Sequence, residues 1–396
     1  MKLVIVSHVR HYSQDGNLFA YAPYAREIEI WAELFDEVVI AAPLWETEPA
    51  GDCARIHSTN IRIMPQREIG GETWPAKLKL ASYLPVMMWE LTKALRQGDA
   101  IHVRCPGNIG FLGAILAPLF SKHVVAKFAG QWNPNANDPL SVRCQRAVLR
   151  SRWWHGPVTV YGTWPDMPEH VVPFFSSALT DDQINRACIA AQTRTLDEQS
   201  NILFVGRLSQ AKNADVLLSA LAQLRSERGP FKCTIAGEGP ELAALQELSV
   251  KLGIDDSVVF TGGVSFERVL ELYEHSGILV LASQTEGWPK AITEGMAFGL
   301  VAIGSNLGLI PKILGDGRGL LVQPRNIDEL TAALRQILID PGQFSEMRRR
   351  AASWAQSYSL DSLRESLRTL LANHWGVPTT TNSQPRTVSS VACTHE

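Results

Sequence analysis

Three stretches in the second half of the chain combine cations, carboxylates and glycines at spacings that suit a phosphate-bearing ligand. Gly206-Arg207-Leu208-Ser209-Gln210-Ala211-Lys212 offers a turn-permitting glycine, an arginine whose planar fork can grip phosphate oxygens in pairs, and a lysine point charge. Two solvated cations in a surface loop would look the same in isolation. Gly237-Glu238-Gly239-Pro240 opens a helical pattern but lacks the third glycine of a dinucleotide fingerprint, so it reads equally well as a turn with proline at a helix start. The third stretch runs Glu286-Gly287-Trp288-Pro289-Lys290 to Glu294. Pro289 favours a helix start there, which would leave unpaired backbone N–H groups near Gly287 to Lys290 to receive an anion. Glu286 and Glu294 would then stand beside that anion and could accept hydrogen bonds from sugar hydroxyls, although two glutamates eight residues apart are also a common accident.

Such loops need elements to carry them. Short β-rich runs alternate with amphipathic stretches along the chain, which is the pattern of parallel α/β layers. The first half predicts strands at 2–7, 38–42, 61–64, 100–104, 124–128 and 158–161; the second predicts them at 201–205, 232–236, 258–261, 278–282, 301–304 and 319–322. Each of the three loops above directly follows one of these strands, the end at which doubly wound sheets bind ligands. The organisation expected is residues 1–175 as one Rossmann-like domain and 176–342 as a second. Helices at 343–375 should cross back to the first domain, and a polar tail at 376–396 should be disordered. The segment from Phe174 to Gln199 reads as polar and irregular.

With 396 residues, 45% of them hydrophobic, the chain can bury two cores without metals or disulfides. Its 37 Lys and Arg nearly balance 40 Asp and Glu, so no general field draws nucleic acid. The six cysteines are dispersed without metal-site spacing, and the expected state is reduced thiols in a cytoplasmic protein. No apolar run reaches the roughly 20 residues that a membrane-spanning helix requires. The first strand ends in Ser7-His8-Val9-Arg10-His11 rather than in glycines, which argues against a nicotinamide cofactor.

Taken in order, Val205-Gly206-Arg207-Leu208, Lys212, Gly237-Glu238-Gly239-Pro240, Phe260-Thr261-Gly262-Gly263-Val264, Glu286-Gly287-Trp288-Pro289, Glu294-Gly295-Met296-Ala297 and Gly319-Leu320-Leu321-Val322 resemble the donor domain of the retaining glycosyltransferases of family 4, the group 1 glycosyltransferases. The resemblance implies a GT-B fold, two Rossmann-like doubly wound parallel-sheet domains facing a central cleft. It implies catalytic roles for Arg207, Lys212 and Glu286, with the two cations on the donor diphosphate. Gly206, Gly239, Gly287, Trp288, Pro289 and Lys290 would complete the donor site, Gly263 and Val264 would receive the base, and Glu294 the ribose hydroxyls. The co-substrate would be a nucleoside diphosphate sugar, with no other cofactor. No Asp-x-Asp is present, so no metal is expected.

The acceptor side resembles the family less. Gly16, in Ser13-Gln14-Asp15-Gly16-Asn17, would belong to a flexible acceptor loop, and Gly130, in Ala129-Gly130-Gln131-Trp132, stands where many members carry a histidine. His8, His11 and His102 lie near strand ends, but no base is assigned among them. Arg143, Arg146 and Arg150 would share a helix stripe beside Trp153-Trp154, either as a surface that meets anionic lipid or as an ordinary packed helix. The helical stretch Ala76–Arg96, with Trp74, Lys77, Lys79, Met87, Met88 and Trp89, could extend that surface or simply be core. The function expected is therefore retaining, metal-independent transfer of a hexose-type sugar to a saccharide or lipid-linked saccharide, as in surface polysaccharide or glycolipid synthesis, by a cytoplasmic enzyme at the inner face of the plasma membrane. A nucleotide-sugar epimerase or a catalytically idle nucleotide-sugar-binding subunit is the alternative.

Overall fold

The computed structural model describes residues 1–49, 51–67, 74–135, 138–194, 200–228 and 231–376, with the side chains of 74–81 and 228 outside that description. The proposed tail beyond residue 376 and the side chains of Trp74, Lys77 and Lys79 thus lie outside the described residues.

Two units divide the chain. One comprises Met1–Phe175 together with the chain from Leu363; the other is Ser176–Ser362. The helices beyond residue 342 therefore part company, a correction to the expectation that they return together. Ser345–Ala355 stays with the second unit, whereas most of the helix Leu360–Trp375 joins the first. There Trp375 packs on Phe35 and His123, and Arg364 pairs with Glu33 at 2.6 Å.

The strands of the first unit are β1 (Lys2–Val6), β2 (His11–Gln14), β3 (Asn17–Tyr21), β4 (Glu37–Ala42), β5 (Leu44–Trp45), β6 (Cys53–Ile56), β7 (Ile61–Pro65), β8 (Ala100–Cys105), β9 (His123–Phe128), β10 (Val158–Tyr161) and β11 (Val171–Phe174). Seven form a parallel sheet in the order β11-β10-β9-β8-β1-β4-β7, as near-continuous apolar runs favour. The other four make a small sheet, β5-β2-β3-β6. The expected flexible loop around Gly16 is in fact the tip of the β2–β3 hairpin. Asp15 and Gly16 both have positive φ, 50° and 73°, which suits a two-residue turn whose twist matches its strands.

Because side chains alternate along a strand, the large sheet has two different faces. Val4, Val6, Ile101, Val103, Val124 and Ala126 pack under the helices Trp74–Leu95, Asn108–Leu116 and Leu140–Arg150 as an apolar core. The opposite face places Arg104 and Lys127 directly abreast on β8 and β9, an arrangement that like charges disfavour. Glu27, from the helix Ala22–Glu33, offsets it: its carboxylate lies 2.8 Å from Lys127 Nζ and 3.3 Å from Arg104 Nη1, and all three side chains are almost wholly buried. Burial alone would raise the Glu27 pKa, but the two cations overcome it and hold the carboxyl far below its ordinary range. His102 stacks on Trp31 at 4.5 Å, and burial lowers its pKa to about 3. Burial likewise takes His11 to about 4. Both imidazoles are neutral packing groups.

The arginine stripe divides between the two readings it allowed. Arg146 is buried and donates to Asp138 at 2.7 Å and to the Gln131 carbonyl, and Trp154 is 1% exposed. Neither can meet a membrane. A helical wheel drawn over 140–150 omits Asp138, the counter-charge that turns Arg146 inward. Trp153 stays 45% exposed, and Arg143 is exposed.

The second unit carries β12 (Ile202–Val205), β13 (Cys233–Ala236), β14 (Val258–Gly262), β15 (Ile278–Leu281), β16 (Val301–Ser305) and β17 (Leu320–Val322), all parallel, in the order β14-β13-β12-β15-β16-β17. The segment read as irregular contains a helix, Asp181–Thr193. Thr180 and Gln183 cap each other's backbone N–H groups at its start, a reciprocal box visible in the sequence as Thr-x-x-Gln.

Candidate functional site

The order of the second sheet fixes where a ligand can bind. From β12 the chain winds to β13 and β14 on one side, then returns to place β15 on the other side of β12. The carboxyl ends of β12 and β15, where the winding reverses, are therefore the topological switch point. The loops that leave them hold Arg207, Lys212 and Glu286.

The loops after β12 and β13 are joined backbone to backbone. Leu208 N–H donates to the Glu238 carbonyl at 2.7 Å, and Glu241 N–H donates to the Leu208 carbonyl at 3.1 Å. A Cβ on Gly237 would come within 1.9 Å of the Gly206 carbonyl oxygen, and one on Gly239 within 2.1 Å of that of Leu208. Close approach of main chains explains these two glycines without a ligand. Gly263, on the loop after β14, faces the Glu238 side chain instead of main chain, its carboxylate 2.7 Å from where a Cβ would stand. Val264 beside it is half-buried.

Across the switch point, Lys212 Nζ donates to Glu286 Oε1 at 2.5 Å, with side-chain exposures of 23% and 10%. Arg207 lies exposed on the same loop as Lys212, with Gly206 before it. The helix expected after Pro289 is present as Lys290–Ala297. One of its anticipated free amides is already used, since Lys290 N–H donates to the Trp288 carbonyl at 2.9 Å. Gly287 is half-buried. The Trp288 ring turns toward Trp354, stacked at 6.4 Å, and Tyr358, edge-on at 5.5 Å. Glu294 is buried, and its Oε2 accepts from Tyr273 Oη at 3.0 Å. Burial, and then the facing carboxylate, raise the Tyr273 pKa well above that of a free phenol, so the hydroxyl remains a donor.

Sequence reasoning missed the side chain that fastens the two loops together. Asn213 is buried in the left-handed region at φ 51°, ψ 41°, a conformation that asparagine tolerates better than most residues. Its Nδ2 donates to the Ala282 carbonyl at the end of β15 at 2.7 Å. Its Oδ1 accepts from Gln284 Nε2 at 3.0 Å and from Arg325 Nη1 at 2.9 Å. Gln284 N–H closes the link on the Ala211 carbonyl at 2.8 Å. Asn213 thus holds its neighbour Lys212 in register with the loop of Glu286. Its polarity next to Lys212 is visible in the sequence; its partners, more than 60 residues away, are not.

On the acceptor side, Gly16 is exposed at the hairpin tip and Gly130 is half-buried after β9, both in the first unit. Among the described residues no group of three or more His, Cys, Asp or Glu could hold a metal ion, and no helix is long and apolar enough to cross a membrane.

Residues 186–357, which contain Arg207, Lys212, Glu286 and Glu294, match the model of the family Glycosyl transferases group 1. The chain carries a group 1 glycosyltransferase domain. An uncharacterized glycosyltransferase of Haemophilus influenzae is 32% identical over 179 residues, 44% of this chain and 49% of that protein. The chain spans only 37% to 49% of the length of this and two further curated relatives. Solved structures extend the fold likeness over both units. Sucrose-phosphate synthase from Thermosynechococcus elongatus superposes with a TM-score of 0.69 at 18% identity, covering 94% of this chain and 98% of that one. HepE of Anabaena in complex with UDP and glucose gives 0.68 at 15% identity, covering 94% and 99%. The two parallel-sheet units, the second of which contains the group 1 glycosyltransferase domain, are those of the GT-B fold.

Proposed function

We propose that this protein is a retaining, metal-independent glycosyltransferase that moves a hexose-type sugar from a nucleoside diphosphate sugar to a saccharide or lipid-linked saccharide. The observation that carries the reading is the Lys212–Glu286 pair at the switch point of the second sheet, with Arg207 on the same loop. Cleaving the bond between the anomeric carbon and the phosphate oxygen leaves a sugar with cationic character and a diphosphate that gains negative charge. Fixed cations beside that diphosphate lower the barrier most, because they act where charge develops. Lys212 and Arg207 supply them, Glu286 holds the sugar through its hydroxyls, and Glu294 takes the ribose. The unpaired amides that remain in the first turn of Lys290–Ala297 add a partial positive charge. The complex of the structural neighbour HepE with UDP and glucose supports a nucleotide-sugar donor and makes UDP-sugars the first to try.

A lipid-linked acceptor at the inner face of the plasma membrane fits the surface left after Arg146 and Trp154 are removed from it. Leu140 is 73% exposed and Trp153 45% exposed, with Arg143 beside them on the same segment. Work in surface polysaccharide or glycolipid synthesis follows from that acceptor class.

A panel of UDP-, GDP- and ADP-sugars tested for thermal stabilisation checks the donor assignment. A ligand at about 100 times its Kd adds about 2.7 kcal/mol to apparent stability. One nucleotide class should raise the melting temperature by several degrees, and nucleotide release should then require an acceptor. A flat response to the whole panel would refute the reading, and epimer formed from donor alone would point to an epimerase.

A further inference from the structure

Glu294 does not set its own position. It sits on the helix Lys290–Ala297, while Tyr273, the group that donates to it, sits on the helix Phe266–Glu274, so the 3.0 Å contact depends on how two separate helices are held. One buried side chain holds them. The Arg194 guanidinium donates to the carbonyls of Tyr273 at 3.0 Å and Glu274 at 2.9 Å, at the carboxyl end of the first helix. It also donates to Phe298 at 2.7 Å, at the end of the second, and to Ser276 in the turn beyond the first. A cation at two helix carboxyl ends answers the partial negative charge of both. Arg194 is buried at the carboxyl end of the helix Asp181–Thr193, so a third helix carries this clasp.

We infer that Tyr273 is a positioning residue that orients the Glu294 carboxylate for the two ribose hydroxyls of the nucleotide, and that Arg194 fixes the distance between them. The inference rests on the reading of Glu294 as the ribose acid. An ionised carboxylate offers about four acceptor sites on two oxygens. With Oε2 held by the Tyr273 hydroxyl, the plane of the group is set before ligand arrives, and a cis-diol can be met without the rotamer entropy that a loose glutamate would lose. The Tyr273 ring packs on Phe298 at 5.6 Å, a contact that phenylalanine in its place would keep.

The test compares binding of UDP, GDP and ADP with that of their 2′-deoxy forms by calorimetry, on the full chain. Wild-type protein should prefer the ribonucleotide of its own base by about tenfold or more, the worth of a hydrogen bond to a charged group. Tyr273→Phe should bring that ratio down toward unity by weakening the ribonucleotide alone, with the melting temperature lowered by a few degrees because the buried Glu294 carboxylate loses a donor. A purely structural role would weaken both nucleotides alike, and an unaltered ratio in Tyr273→Phe overturns the inference. Arg194→Lys gives an independent arm: the same compression is expected, and a wild-type ratio counts against the clasp. Glu294→Gln separates the two layers. If it leaves the ratio at its wild-type value, the ribose assignment itself fails; if it abolishes the ratio while Tyr273→Phe preserves it, only the positioning role fails.

Discussion

Two lysine–glutamate pairs, one in each unit, look alike by distance and differ in everything else. Lys127 and Glu27 meet at 2.8 Å with side chains 5% and 6% exposed, inside the first sheet, where Arg104 completes the set. Lys212 and Glu286 meet at 2.5 Å with exposures of 23% and 10%, beyond the strand ends of the second sheet. The first pair has no alternative to its partner, because separating two buried charges exposes each to the full desolvation cost. The second can exchange partners when an anion arrives. Charge at a strand's carboxyl end is available for chemistry, and charge on a strand's face is committed to the fold.

Breaking the second pair should have the largest effect on activity. Lys212→Ala should lower sugar transfer by about 10²–10³-fold, the scale of one lost donor to a developing charge. The melting temperature should fall by only a few degrees, since the freed Glu286 can turn toward solvent; an activity within a fewfold of wild type would erase the contrast drawn here. Breaking the first pair should do the reverse. Glu27→Gln should cost about 3–5 kcal/mol of stability by leaving Arg104 and Lys127 abreast and unneutralised, measured by urea unfolding, while the remaining folded protein binds donor normally. The sign of the pH effect follows from the depressed Glu27 pKa. Its contribution is complete above the ordinary carboxylate value of about 4.3 and is lost as pH falls through the folded-state value. The acid limb of the wild-type stability curve should therefore be steeper than that of Glu27→Gln.

A smaller effect sharpens the comparison. Asn213 is buried against Ala282, Gln284 and Arg325, and Asn213→Ala should slow transfer about tenfold and cost about 1–3 kcal/mol, because all three lose a buried partner. Asn213→Asp keeps the acceptor for Gln284 and Arg325 but sets a charged oxygen against the Ala282 carbonyl, so steady-state kinetics should place it no faster than Asn213→Ala. Equal kinetics for wild type and Asn213→Ala would show that Lys212 needs no fastening.

The same contrast explains what the sequence discloses. The second unit is legible because its candidate groups follow strands immediately, so strand prediction also locates the loops and the order of the motifs supplies the family. Glu294 is legible as a candidate, but Tyr273 is not, since no local spacing links residues on different helices. In the first unit Arg104 and Lys127 sit in ordinary alternation within apolar strands, and nothing local announces that they lie side by side or that Glu27 comes from 77 residues before Arg104 and 100 before Lys127. The helix Asp181–Thr193 and the hairpin at Asp15-Gly16 are different cases. Both carried short-range signals, a Thr-x-x-Gln box and an Asp-Gly turn, that give way when a stretch is judged by its average polarity.

The chain leaves the first unit after Phe175 and re-enters it at Leu363, and just inside the second unit these two passages run side by side. Ser177 Oγ donates to the Tyr358 carbonyl at 2.7 Å, and Leu360 N–H donates to the Leu179 carbonyl at 2.8 Å. Ser176–Ser362 is therefore a cassette inserted into an interrupted host, with its two ends tied together. The span 186–357 falls wholly inside it. Excision of the cassette severs only two neighbouring strands of chain, whereas no single continuous segment of the sequence can yield the host.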